Sequence, residues 1–161
     1  MAQVDYFLKI NGVEGESTDD KHKNEIDVLS WSWGETNSGT QAYGGGGGAG
    51  KVAMQDFNFV MTYNKASPKL MLNCATGAHI PDATLTCRKA GGEQQEYLIV
   101  KFSNLLVSSS QTGGSSGDVV PVDQISLNYE KIEWEYKPQD EKGATGSPVK
   151  AGYDLKANKK V

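Results

Sequence analysis

Ile125-Ser-Leu-Asn-Tyr-Glu-Lys-Ile-Glu-Trp-Glu-Tyr136 alternates apolar and polar residues, the period of a β-strand with one buried face. Ile125, Leu127 and Tyr129 hold odd positions, whereas Ile132, Trp134 and Tyr136 hold even ones. A strand changes parity only by accommodating an extra residue, so the spacing predicts a bulge near Glu130-Lys131 that bends this strand. Bends of that kind carry strands around the corners of a small barrel. Pro138 ends the run.

The same alternation recurs on either side. Val4, Tyr6, Leu8 and Ile10 share one face of a first strand that Asn11-Gly12 terminates. Ile26 to Gly34 reads as a second strand with Leu29, Trp31 and Trp33 on a buried face and Ser30 and Ser32 on a wet one. Phe57, Phe59, Met61 and Tyr63 mark a third, and Ala83, Leu85 and Cys87 a fourth. Between these two, Ser67 is placed to cap a helix, Pro68 suits its first position and Gly77 its left-handed end. Leu70, Met71, Cys74 and Ala75 would form its apolar face. In a fifth strand Tyr97, Leu98, Ile99, Val100 and Phe102 make both faces apolar, so the helix or another subunit must cover the second one. Tyr153-Asp-Leu-Lys reads as a returning edge strand. The expectation is therefore one mainly all-β domain over 1–161, a small barrel of two packed antiparallel sheets with one short helix on its side. Flexible segments are expected near 37–51, 108–118 and 139–150, where Gly, Ser and charged residues replace apolar ones.

Composition excludes several functions. Sixteen Lys and Arg against twenty Asp and Glu give a net charge of −4, and no stretch concentrates enough basic residues to track a phosphate backbone. No apolar run approaches the length that spans a bilayer, and the first residues lack the basic and apolar regions of a secretory signal, so synthesis in the cytoplasm is expected. Cys74 and Cys87 read as free thiols in a reducing compartment, without the spacing of a metal site, and no cofactor is expected.

Gly45-Gly-Gly-Gly-Ala-Gly50-Lys51 imitates a phosphate-binding loop, but Val52 stands where Ser or Thr should hold magnesium, and a strand follows instead of a helix. His22 sits among Asp20, Lys21 and Lys23 like a solvated loop residue, and His79 follows the helix end, where it packs or hydrogen-bonds. Asp19-Asp20, Glu133 and Glu135 read as solvated faces. Neither histidine has a nucleophile and an acid beside it in a recognisable pattern, so the chain is read as a non-enzyme. Trp31 and Trp33 suit a core better than a sugar-stacking platform.

Ile26-Asp-Val-Leu-Ser-Trp-Ser-Trp-Gly34, the Gly44–Gly50 loop ending in Lys51, Ser67-Pro-Lys-Leu-Met-Leu-Asn-Cys-Ala-Thr-Gly77 and Arg88-Lys-Ala-Gly-Gly92 occur in that order. Glu96-Tyr-Leu-Ile-Val-Lys101, Val107-Ser-Ser-Ser110 and Ile125 to Tyr136 follow them. Together, from Val4 to Tyr153-Asp-Leu-Lys, the sequence resembles the haemolysin-coregulated proteins, the tube subunits of type VI secretion systems. The resemblance implies a homo-hexameric ring that stacks into a hollow tube, a spike trimer at its tip, a contractile sheath around it and small effector proteins in its lumen. It also implies export through that machine without a signal peptide; some members of the family carry a C-terminal toxin domain, and none is expected here because the sequence stops at Val161. On this reading Ser30 and Ser32 are candidate lumen contacts. Gly44, Gly45, Gly46, Gly47, Gly48, Gly50 and Lys51 form a candidate ring-stacking loop. Tyr97, Leu98, Ile99, Val100 and Phe102 form a candidate subunit interface. The alternatives are a stand-alone ligand- or carbohydrate-binding β-domain and, last, an enzyme using the Gly-rich loop.

Overall fold

Most segments of period-two alternation become strands, although the expected returning strand at Tyr153-Asp-Leu-Lys ends at Asp154, with Leu155 and Lys156 in a turn. The structure, a computed structural model, describes residues 4–39, 49–89, 94–139 and 146–161. Its strands are β1 (Val4–Ile10), β2 (Ile26–Asp27), β3 (Ser30–Ser32), β4 (Glu35–Gly39), β5 (Ala49–Met54) and β6 (Phe57–Thr62). After the helix α1 (Ser67–Thr76) come β7 (Ile80–Lys89), β8 (Glu96–Gly113), β9 (Val122–Tyr136), β10 (Val149–Asp154) and β11 (Lys159–Lys160).

Every pairing is antiparallel. One nine-stranded sheet runs β11-β10-β9-β8-β7-β1-β2, and β6 joins it to β3 by pairing with both β9 and β3. β4 and β5 form a separate two-stranded sheet. The large sheet wraps one core in which Phe57, Phe59, Met61, Leu85, Phe102, Ile125 and Leu127 are almost wholly buried. Phe102 packs between Phe57 and Tyr129, with ring centroids 4.8 and 5.2 Å away. The architecture is mostly β as expected, but it is not a closed barrel of two comparable sheets. β2 and β3, the two ends of the ladder, are joined by the chain and not by hydrogen bonds between them.

That junction explains why Ile26 to Gly34 is not one strand. The Val28 amide donates to Tyr6 O at 3.0 Å and the next amide, Leu29, to Val60 O at 2.8 Å, so the chain changes partner within one residue. Leu29 falls at the crossing and is 56% exposed, while Trp31 and Trp33 turn against the core as their parity requires. Tyr63, past the end of β6, is likewise exposed.

The parity change in β9 has a different cause from the one its spacing suggests. Pairing between β8 and β9 keeps one register from Leu98↔Tyr136 to Val107↔Leu127, with no extra residue at Glu130-Lys131. Instead β8 changes parity opposite it, from Phe102 to Leu105, and Asn104 between them has φ 52°, a left-handed conformation that Asn tolerates. Its Nδ2 donates to Glu130 Oε2 at 2.6 Å. The register shift lies further on, between Val107 and Ser109. Ser108–Gly113 is accordingly strand and not loop, as are Asn37–Gly39, Ala49–Lys51 and Val149–Lys150.

Ala66 holds the cap position of the helix without a side-chain cap bond, so Ser67 is its first residue and not its cap. The turn before it is tied by Asn64 Oδ1, which accepts the Ala66 amide at 2.8 Å, and by Ser67 Oγ, which accepts the Asn64 amide at 3.0 Å. Gly77 ends the helix at φ 67°. Leu70 is buried and Cys74 half-buried against the core, but Met71 is 55% exposed and Ala75 also faces out.

Candidate functional site

Ser30 and Ser32 are exposed, and strand register shows what surrounds them. Residues directly opposite across a pleated sheet point to the same side. Ser32 lies opposite Asn58, which lies opposite Ser126, which lies opposite Ser109. In the next row Ser30 faces Val60, then Gln124 and Gln111. Four strands, β3, β6, β9 and β8, therefore present one uncharged face of hydroxyls and carboxamides, interrupted by half-buried Val60. Asp56 anchors its border, accepting Ser108 Oγ at 2.6 Å and Asn128 Nδ2 at 2.9 Å, and Ser126 Oγ donates to Asn58 Oδ1. The sequence reading found two of these residues; the others carry the same out-of-phase polar signal, but only the register places them side by side.

The apolar run in β8 is covered mostly within the subunit. The register shift between Cys87 and Arg88 leaves Tyr97 without a partner on β7, and Tyr97 and Leu98 both pack against the core. Val100 and Phe102 are wholly buried there and have no surface left for a neighbour. Ile99 alone sits on the outer side, half-buried among Lys101, Glu133, Glu135 and the side of Val161. Gly44, Gly45, Gly46, Gly47 and Gly48 lie outside the described residues. Gly50 and Lys51 belong to β5, which runs on as strand, so no helix N-terminus follows the lysine.

Arg88 and His22, which alternation and local composition assign to solvent, are both buried. Arg88, only 2% exposed, grips Asp19 with both terminal nitrogens at 2.9 and 2.7 Å and reaches Asp5 at 3.0 Å. Its guanidinium lies 4.8 Å above the Phe7 ring, and Phe7 stacks on His22 at 4.4 Å. His22 is not solvated: its ring nitrogens meet Glu25 at 2.9 Å and Glu96 at 2.7 Å. This column of cation, ring and imidazole clamps the segment after β1 onto β1 and β7. The hydrogen bond from Arg88 holds the Asp19 carboxyl at about 2, well below its ordinary value. His79 is exposed and meets Asn104 Oδ1 at 3.2 Å.

Beyond these lies a groove of about 1170 Å³ between the β4–β5 sheet and the β9–β10 face. Trp33 and Trp134, 5.1 Å apart, form its floor with Tyr153, and Lys51, Lys156 and Glu35 stand in its lining. Trp33 Nε1 donates to the Tyr129 hydroxyl, which itself donates to Gln55 O at 2.9 Å, so the indole is fixed in place. Burial raises the Tyr129 hydroxyl to about 12 and the Cys87 thiol to about 12, which keeps both protonated at neutral pH. Among the described residues no three His, Cys, Asp or Glu side chains gather as a metal site, and no helix is long and apolar enough to cross a membrane.

Comparison with known proteins agrees with these features. Residues 7–136 match the family model described as type VI secretion system effector, Hcp. The chain is 50% identical over 157 residues to protein hcp1 of Pseudomonas aeruginosa, covering 96% of this chain and 97% of that protein. Among solved structures, Hcp1 from Salmonella typhimurium superposes with a TM-score of 0.82 at 38% identity, over 99% of this chain and 100% of that one. A type six secretion system protein superposes with a TM-score of 0.92 at 35% identity, again over 99% and 100%.

Proposed function

The chain belongs to the Hcp family of type VI secretion system proteins, and from that premise we propose that it is a structural subunit whose hexameric rings stack into a secreted hollow tube. A spike trimer would cap the tube, a contractile sheath would surround it, and small effector proteins would ride inside. The observation that carries this reading is the uncharged face built by β3, β6, β9 and β8. A lumen that accepts many cargo surfaces needs a wall that imposes no single sign of charge and offers short, adaptable hydrogen-bonding groups. Ser30, Ser32, Asn58, Gln124 and Ser126 supply such a wall. Ile99, the one outward apolar residue of its run, supports a neighbouring subunit on that side, and the loop from Gly44 to Gly48 with Gly50 and Lys51 would meet the next ring.

Ser32→Gln tests the lumen assignment by adding bulk to the wall without adding charge. Rings are expected to form normally while co-purification of a small effector falls at least tenfold. Unimpaired effector capture by well-formed rings would remove Ser32 from the cargo surface.

A further inference from the structure

The hairpin joining β8 to β9 carries an apolar tip that the described residues leave largely open. Val119 is wholly exposed and Val120 nearly half exposed, in a turn of Gly, Ser and Asp residues. The turn is nevertheless ordered by its own bonds: Ser115 Oγ donates to Asp118 Oδ2 at 2.9 Å and the Asp118 amide donates to Ser115 O at 3.0 Å. An ordered turn that presents two valines to water has the form of a prong.

The subunit also holds a receptor of matching chemistry. The groove over Trp33, Trp134 and Tyr153 is at least as large as clefts that bury a whole small molecule, so it admits a hairpin tip. Its floor is aromatic and its lining charges, Lys51 and Lys156 against Glu35, sum to one positive. The prong brings one negative charge, Asp118, beside its two valines. Lys156 is 83% exposed with Glu130 3.6 Å away, and Lys51 is exposed on β5, so both can meet a carboxylate arriving from outside.

The two cannot meet within one chain. The prong adjoins Val122 at the start of β9, whereas Trp134 lies near its end, about 40 Å further along at some 3.3 Å per residue. β9 is hydrogen-bonded to β8 between those points, which keeps prong and groove apart. Complementary patches on different parts of one surface make head-to-tail contacts, and these close into rings or continue as stacks according to the rotation between copies.

We propose that the Asp118-Val119-Val120 prong of one copy seats in the Trp33/Trp134/Tyr153 groove of the next, with Asp118 against Lys51 or Lys156. This rests on the self-assembling reading above and adds a specific contact to it.

The test is a cysteine pair, Val119→Cys with Ala151→Cys, in a Cys74→Ser background; Ala151 is exposed and lines the groove. Both positions are at the surface, and thermal melts confirm that the variants fold. After oxidation, a denaturing gel is expected to show a ladder of linked copies from the double variant and monomer from either single variant. A ladder ending at one ring places the contact between ring neighbours, and a longer one places it between rings; either supports the proposal. In parallel, Val119→Asp is expected to raise the concentration for half-assembly at least tenfold. Oligomers by light scattering with no ladder would overturn the prong and groove while leaving self-assembly intact. A ladder from Val119→Cys alone would mean that tips meet each other, which also overturns it. A chain that stays monomeric would overturn the self-assembling reading and this contact together.

Discussion

Replacing Arg88 with methionine keeps most of the side chain's length and removes its charge and five donors. Asp19 and Asp5 then face one another across a site built for a cation, with side chains 22% and 39% exposed. Truncating one partner of a buried ion pair costs about 3–5 kcal/mol, and because both carboxylates retain some water the expected loss is at the lower end, about 3 kcal/mol. At 2–4 °C per kcal/mol for a chain of this size, the melting temperature should fall by roughly 6–12 °C. The pH dependence gives a second check. Asp19 is depressed from 3.8 to about 2 in the folded state, so its contribution is complete above the unfolded value and disappears as pH falls through the folded one. Urea unfolding of both proteins at pH 7, 5, 4, 3 and 2 should therefore show a difference of about 3 kcal/mol at pH 7 that narrows below about pH 4. A difference under about 1 kcal/mol at pH 7, within the range of a surface pair, would refute the buried clamp. So would a difference that does not change with pH.

Gly15→Ala should destabilise by several kcal/mol, on the order of an overpacked core at about 1–3 or more, because an added Cβ would stand 2.5 Å from Glu25 O; a melting temperature within 2 °C of native would contradict it. Cys87, buried with its thiol raised to about 12, should resist thiol reagents at pH 8 while half-buried Cys74 reacts, so that one thiol labels in the native protein and two in denaturant. Equal labelling rates would contradict that burial.

The parts of the fold legible in sequence are those whose information is local. Phe57, Phe59 and Met61, or Ala83, Leu85 and Cys87, announce an inward face by alternation alone, and Gly77 announces the helix end by its backbone freedom. The second half of β8 was not legible, because Ser108–Gly113 has the composition of a loop and becomes strand only by pairing with Val122–Ser126. The parity change was visible in β9, but its origin at Asn104 lies on the neighbouring strand. Arg88 occupies a position that alternation assigns to solvent, and its burial depends on Asp19 and Asp5, 69 and 83 residues away. His22 was misjudged for the same reason, since Glu96 approaches from 74 residues away. Ser30 and Ser32 were rightly placed on a wet face, while the breadth of that face required strand order. Val100 and Phe102 looked available to a neighbour because Tyr97 and Ile99 gave the run a second apolar face, and the bulge that turns Tyr97 to the side of Leu98 cannot be read from one strand.

The most direct test of the tube-subunit account is the mass of the purified protein by size-exclusion chromatography with light scattering at high micromolar concentration. The account predicts a single closed species at six times the 17.4 kDa subunit, with larger stacks as multiples of it. A protein that remains at 17.4 kDa under these conditions would contradict it.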